Sequence, residues 1–301
     1  MLKIIGCEQQ KMASTNKVKN KSKKLVKPFL KWAGGKRQLV PVIRENHLPK
    51  NYDLNRHTYY EPFVGGGALL FALQPKKAVL NDSNAELINC YQVIRDSLPE
   101  LINDLTRHEN EKNYYYAVRE WDRDKSFENK TSVERASRII FLNKTCYNGL
   151  FRVNSQGQFN VPFGRYKKPN ILEKAVLKSV SQYLNTNQVK LLNLDFEDAV
   201  QGANKGDFIY FDPPYDPISD SASFTGYDVN KFNRDEQKRL KETVDELNSR
   251  GCKILLSNAY TDFIVDLYRD YNHTRVSAIR AINSNPSKRG RVDEILVKNY
   301  E

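Results

Sequence analysis

Cysteine is scarce and scattered in this chain: Cys7, Cys90, Cys146 and Cys252 form no CxxC pair. That argues against a disulfide framework or a zinc finger and points to a reducing, cytoplasmic setting. The four histidines have no second candidate ligand at metal spacing, so no metal is expected. No serine or cysteine stands in a nucleophile motif. Every apolar run is too short for a membrane span, and Met1-Leu-Lys-Ile-Ile-Gly6 is too short for the core of a signal peptide. Acidic residues are also in deficit. The chain holds 48 Lys and Arg against 36 Asp and Glu, a net charge of +12. Such a balance favours a polyanionic partner, nucleic acid being the commonest, over a basic surface kept only for solubility.

Two nucleotide-binding fingerprints are missing as well. Ala33-Gly34-Gly35-Lys36 is no P-loop, because Arg37 stands where Ser or Thr is required and no glycine precedes at the right distance. Phe63-Val64-Gly65-Gly66-Gly67 is no dinucleotide loop, because position 70 is Leu. It nevertheless sits between a strand and a helix, where a doubly wound sheet binds nucleotides, and Asp82 follows the next strand. A glycine turn with an acidic residue one β-α-β unit later suits another adenosine-containing ligand, the carboxylate accepting from ribose hydroxyls.

What is present is concentrated at Asp212-Pro213-Pro214-Tyr215, straight after the apolar run Phe208-Ile-Tyr-Phe211. Prolines that end a strand and a tyrosine that packs nearby are the plain structural reading. The chemical reading is an amine holder. Asp212 accepts one N–H, the Pro213 carbonyl accepts the other, and the Tyr215 ring stacks on a base.

Strands and helices alternate at both ends of the chain. Predicted strands cover 57–61, 78–80, 189–192, 208–211, 254–256 and 295–297, with helices over 36–46, 68–73 and 233–250. Asn233 is the expected cap of the last helix and Gly251 its stop. From about 85 to 185 the pattern is mostly helical, with a hairpin turn at Ser155-Gln-Gly157. An α/β sheet with an inserted, mostly helical domain fits best. Residues 1–26 read as a basic flexible tail, with seven lysines against one glutamate over 1–24 and Met12 as an alternative start. Residues 144–172 hold Lys144, Arg152, Arg165, Lys167 and Lys168 and no acid, interleaved with five aromatics. That composition suits a surface that grips phosphates and reads a groove, with Phe151 and Phe159 as core. A second basic stretch, Ser284 to Arg291, reads as a loop that orders on DNA or stays solvated.

Taken in order, Phe29-Leu-Lys31-Trp32-Ala-Gly-Gly-Lys36, Glu61-Pro-Phe63-Val-Gly65-Gly-Gly67, Asp82 and Asp212-Pro-Pro-Tyr215 resemble the Dam-type DNA adenine-N6 methyltransferases, alpha class, including members of restriction-modification type. Tyr147-Asn-Gly-Leu-Phe-Arg152 and Asn160-Val-Pro-Phe-Gly-Arg-Tyr-Lys-Lys-Pro169 are similar to the part of such enzymes that reads GATC. The resemblance covers about residues 27 to 300. It implies a Rossmann-like methyltransferase sheet (27–84 and 186–301), a target-recognition insert (85–185) and S-adenosylmethionine as donor. It places donor contacts at Trp32, Lys36, Glu61, Phe63, Gly65, Gly67, Asp82 and Asp212, with Asp195 and Phe196 against the donor's adenine. DNA contacts fall on Lys31, Asn148, Leu150, Arg152, Pro162 and Tyr166.

Direct methyl transfer to a flipped adenine follows, with Asp212, Pro213, Pro214 and Tyr215 at the reacting amine. The expected partner is double-stranded DNA, with a cognate restriction endonuclease acting on the same site without a stable complex. A cytoplasmic, nucleoid-associated monomer is expected. The alternatives are an amino-methyltransferase of cytosine N4 or RNA adenine, and a non-catalytic DNA-binding module of the same fold.

Overall fold

A computed structural model describes residues 26–32, 36, 38–50, 52–217, 232–279 and 291–301. Residues 1–25 of the predicted basic tail, Met12 among them, Gly34-Gly35 and the basic stretch at 284–290 lie outside the described residues, whereas Val26 is buried in the core.

The described elements are α1 (Leu39–Val42), continued as a π-helical turn to His47, β1 (Tyr59–Glu61), α2 (Ala68–Leu73), β2 (Lys77–Asn81), α3 (Ala85–Asp96), α4 (Leu98–Leu105), α5 (Lys112–Arg119), α6 (Ser132–Thr145), α7 (Lys174–Thr186), β3 (Gln188–Leu192), α8 (Phe196–Val200), β4 (Phe208–Phe211), α9 (Arg234–Ser249), β5 (Lys253–Ala259), α10 (Asp262–Leu267), β6 (Asn272–Ile279) and β7 (Arg291–Lys298). The strands form one sheet in the order β3-β2-β1-β4-β5-β7-β6. The first five are parallel, and β7 runs antiparallel to both neighbours. This is a Rossmann-like methyltransferase fold.

Each central strand is apolar on both faces because helices cover both. Phe208 and Tyr210 face one core with Tyr59, Leu80 and Leu255, while Ile209 and Phe211 face the other with Ile254, Leu256 and Leu240. Period-2 alternation here sorts side chains between two cores rather than between core and water. The first core continues from the sheet into α3, α6 and α7, so the helices at 85–186 share it with the strands.

Local signals set the element ends. Asn233 Oδ1 accepts from the backbone of Asp235 and Glu236, starting α9. Leu240, Val244 and Leu247 give α9 its buried stripe. Thr131 and Glu134 close a capping box on α6. At 151–161 the turn is real but short, a single antiparallel bridge from Val153 to Phe159 instead of a ladder.

Candidate active site

The crevice lies where the sheet's order reverses. β1 pairs with β2 on one side and β4 on the other, so Glu61, Asp82 and Asp212 all emerge at the carboxyl ends of neighbouring parallel strands. Ligands of open α/β sheets bind at that edge.

Asp212 is the best-held group there. Lys36 Nζ lies 2.9 Å from its Oδ1, and Ser257 Oγ donates to the same oxygen at 2.8 Å. Tyr210 and Ser257 hydroxyls are 3.0 Å apart behind it. Burial raises the Asp212 carboxyl above the ordinary carboxylate range, and the Lys36 charge and the Ser257 bond draw it back. The Lys36 ammonium also sits 4.3 Å from the centroid of the Tyr215 ring, a cation–π contact. Tyr215 donates its hydroxyl to Glu294 Oε2 at 3.0 Å. Beneath this pair Glu61 is buried and accepts from Tyr59 at 2.9 Å. Burial pushes its carboxyl well up, and the neighbouring Asp212 charge adds to that.

The glycine loop is built for close approach. Gly67 has φ +67°, and a Cβ there would lie 2.8 Å from the Tyr91 hydroxyl and 3.1 Å from Phe71. Gly65 lies flat against the Trp32 indole, where a Cβ would come within 2.8 Å. Asp82 accepts from Gly65 N–H at 3.0 Å and Asn84 N–H at 2.9 Å. Burial lifts its carboxyl to about 6 against these two bonds. Phe63 and Phe196 pack with Phe232, centroids 5.5 and 5.9 Å apart, beside Arg239, which pairs with Asp195 through both oxygens. The donor set thus offers a carboxylate, an indole, an aromatic cluster and a Lys–Asp pair around a glycine turn. It fits the ribose, adenine and charged tail of an adenosyl sulfonium donor.

Sequence reasoning missed the residues behind these. Gln237 Nε2 donates to the Pro214 carbonyl at 2.9 Å, Asn258 Nδ2 donates to Gln237, and Asn258 Oδ1 accepts from Asp216 N–H. Ser257 and Asn258 are fully buried. The signal was available: two polar residues interrupt the apolar strand Ile254-Leu-Leu-Ser-Asn-Ala259. Buried polar groups need partners, so such a break marks a site behind the sheet edge. Asn81 is a second omission. Its carboxamide bonds Pro62 O, Leu194 O and Leu194 N–H, tying the glycine loop to the loop after β3.

Residues 32–282 match the family described as D12 class N6 adenine-specific DNA methyltransferase. The chain belongs to this family. It is 46% identical over 282 residues to the Type II methyltransferase M1.LlaDCHI of Lactococcus lactis subsp. cremoris, covering 93% of this chain and 98% of that one. It is 45% identical to the Type II methyltransferase M.MjaIII of Methanocaldococcus jannaschii, over 91% and 99% of the two chains. Against the DNA adenine methylase of Escherichia coli K12 the identity is 35%, over 89% and 93%. This D12 class methyltransferase is adenine-specific, which sets aside cytosine N4 and the non-catalytic module. DNA is its substrate, and S-adenosylmethionine is the donor its family implies.

The methyltransferase gathers its sequence-predicted DNA residues into one region, beside Lys31. Asn148 is left-handed (φ 57°, ψ 10°), a conformation asparagine tolerates better than most side chains. The Arg152 guanidinium bonds Asn160 Oδ1 at 2.7 Å and the Asn160 carbonyl at 3.1 Å. Pro162 is exposed, and its carbonyl accepts from Tyr147 N–H at 2.8 Å. Tyr166 is held by Asn110 through its own carbonyl. Lys144 is taken by Glu173 at 2.7 Å, whereas Arg165, Lys167 and Lys168 are exposed. A cleft of about 350 Å³ lies between Lys31, Lys144, Tyr166, Lys167 and Lys168. A larger cleft of about 590 Å³, between α8 and α9, is lined by carboxylates such as Glu197, Asp198, Glu242 and Glu246 and by none of the predicted site residues. Phe151 and Phe159 are buried, as core. Among the described residues no helix is long and apolar enough to cross a membrane, and no cluster of three or more metal-ligating side chains occurs.

Proposed function

We propose that this enzyme methylates adenine N6 within GATC in duplex DNA, on a base flipped out of the helix, by direct transfer. The observation that carries the chemistry is Asp212 at the end of β4 with Lys36 and Ser257 both on Oδ1. That arrangement turns the other oxygen toward an incoming amine. S-adenosylmethionine, when bound, supplies an electrophilic sulfonium methyl. Trp32, Lys36, Glu61, Phe63, Gly65, Gly67, Asp82, Asp195 and Phe196 hold it, with Asp212 between donor and base. Adenine N6 is a weak nucleophile because its lone pair is delocalised into the ring. Asp212 Oδ2 and the Pro213 carbonyl accept hydrogen bonds from its two N–H groups and draw the nitrogen toward tetrahedral geometry. As the N6–methyl bond forms, the methyl–sulfur bond breaks to leave a neutral thioether, and one N6 proton is released to solvent. Preorganised acceptors of this kind contribute roughly 10²–10³ in rate. Gln237, bonded to the Pro214 carbonyl, fixes the backbone that presents Pro213. Lys36 takes one face of the Tyr215 ring, so a flipped base meets the other face or displaces the ammonium.

Lys31, Asn148, Leu150, Arg152, Pro162 and Tyr166 read the target, within an insert spanning 85–185. GATC rests on the likeness of 147–152 and 160–169 to GATC readers. The enzyme works as a cytoplasmic, nucleoid-associated monomer without a metal, and a restriction endonuclease of the same specificity acts beside it without a stable complex. The test is plasmid DNA methylated by the purified protein and challenged with nucleases that differ in sensitivity to methylated GATC. Protection confined to GATC is expected. Adenine methylation elsewhere would discard the target and keep the chemistry.

A further inference from the structure

Asn143 lies near the C-terminal end of α6, 1% exposed, just before the motif at 147–152 and outside every motif singled out in the sequence. A buried carboxamide must find partners for its polar atoms. Here Oδ1 accepts from Lys31 N–H at 2.9 Å, and Nδ2 donates to the Lys31 carbonyl at 2.8 Å and the Gly149 carbonyl at 3.1 Å. The side chain therefore pairs with Lys31 as a strand would and clips Gly149 at the same time. Gly149 has φ +64°, and a Cβ there would lie 2.5 Å from the Lys31 side chain. The two segments touch with no room to spare.

The neighbours of these clipped residues are the ones that would face DNA. Asn148 and Leu150 flank Gly149. Tyr147 N–H bonds the Pro162 carbonyl, and Gly164 N–H bonds the Thr145 carbonyl, so the 162–164 segment joins the same frame. One residue on from Lys31, Trp32 stacks on Phe151 at 4.6 Å and lies against Gly65.

We propose that Asn143 is a positioning residue for target discrimination: it sets the spacing between Lys31 and the Asn148–Leu150 loop without touching DNA. This rests on the reading that those residues face the target. Removing the clasp leaves each reading side chain in place but frees the two segments to shift. The recognised site then loses more than a wrong site does, because only correct contacts depend on the spacing.

The experiment first maps which adenines the wild-type protein methylates on a plasmid. It then compares kcat/KM on that site with kcat/KM on a duplex altered at one base pair, for wild type and Asn143→Ala. The ratio is expected to fall about tenfold, on the scale of one lost base contact. A purely structural role would lower the melting temperature and slow both duplexes equally; an unchanged ratio overturns the proposal. Should Asn143→Ala fail to fold, Gly149→Ala tests the other end of the clasp, with the same ratio deciding. If the wild type itself methylates without sequence preference, the recognition reading falls and takes this inference with it.

Discussion

Asp212 carries the account at the residue scale. It is half-buried, its pKa is raised by burial, and a cation and a hydroxyl hold one of its oxygens. On the proposed mechanism ionised Asp212 is the acceptor, so kcat is expected to fall on acidification with a limb above the ordinary carboxylate range. Removing the Lys36 charge, which lowers the Asp212 pKa, moves that limb to still higher pH. A pH–rate profile of Lys36→Met checks the direction; an unmoved limb separates Lys36 from Asp212. Asp82 makes a second, independent prediction. On the proposed reading its carboxylate accepts from the donor's ribose, and burial lifts its pKa to about 6. Donor affinity is therefore full above that pH and falls as pH drops through it. Calorimetry should show this step in the wild type and not in Asp82→Asn. At Tyr215 the ring and the hydroxyl separate. Tyr215→Phe keeps the ring and loses the hydroxyl's bond to Glu294, costing about 1 kcal/mol, whereas Tyr215→Ala loses the stacking face and, in kinetics on duplex DNA, raises KM more than the Phe variant.

At the scale of elements, the glycine loop is the most constrained piece. Gly67→Ala combines a left-handed backbone with contacts at 2.8 and 3.1 Å. The expected cost is about 1–3 kcal/mol, seen as a lower melting temperature together with weaker donor binding. Much of this layer was legible in the chain. The run Phe208–Phe211 is β4 residue for residue, and Ala68–Leu73 is α2. Asn233 caps α9 as its spacing predicts. The strand at Asn272–Ile279 was not legible. It is an edge strand whose His273, Thr274 and Arg275 are exposed, so no apolar alternation marks it. The proposed acceptor Asp212 and the glycine turn stand out in the sequence because the chemistry they suit fixes their residue types. Ser257 and Asn258 show only as polar breaks in an apolar strand, and Gln237 and Asn143 not at all, because what each does depends on partners distant in the chain, such as Asp212, Pro214 and Lys31.

For the molecule as a whole, charge is distributed by use. Lys144 is paired with Glu173, and Asn160 orients the Arg152 guanidinium through two bonds. Arg165, Lys167 and Lys168 remain exposed, and on the proposed reading they carry the electrostatic attraction to DNA. Lys167→Ala should therefore weaken binding to every sequence alike and reduce the salt slope by about 1. A loss confined to the recognised site would instead make Lys167 a reader.

The central claim is that Asp212 presents an acceptor to adenine N6. It is tested most directly by nucleoside mass spectrometry of duplex DNA treated with S-adenosylmethionine and either wild-type protein or Asp212→Ala. The account predicts N6-methyladenine from the wild type and none above background from the variant, with duplex binding retained. N6-methyladenine formed by Asp212→Ala at near wild-type rate would contradict it.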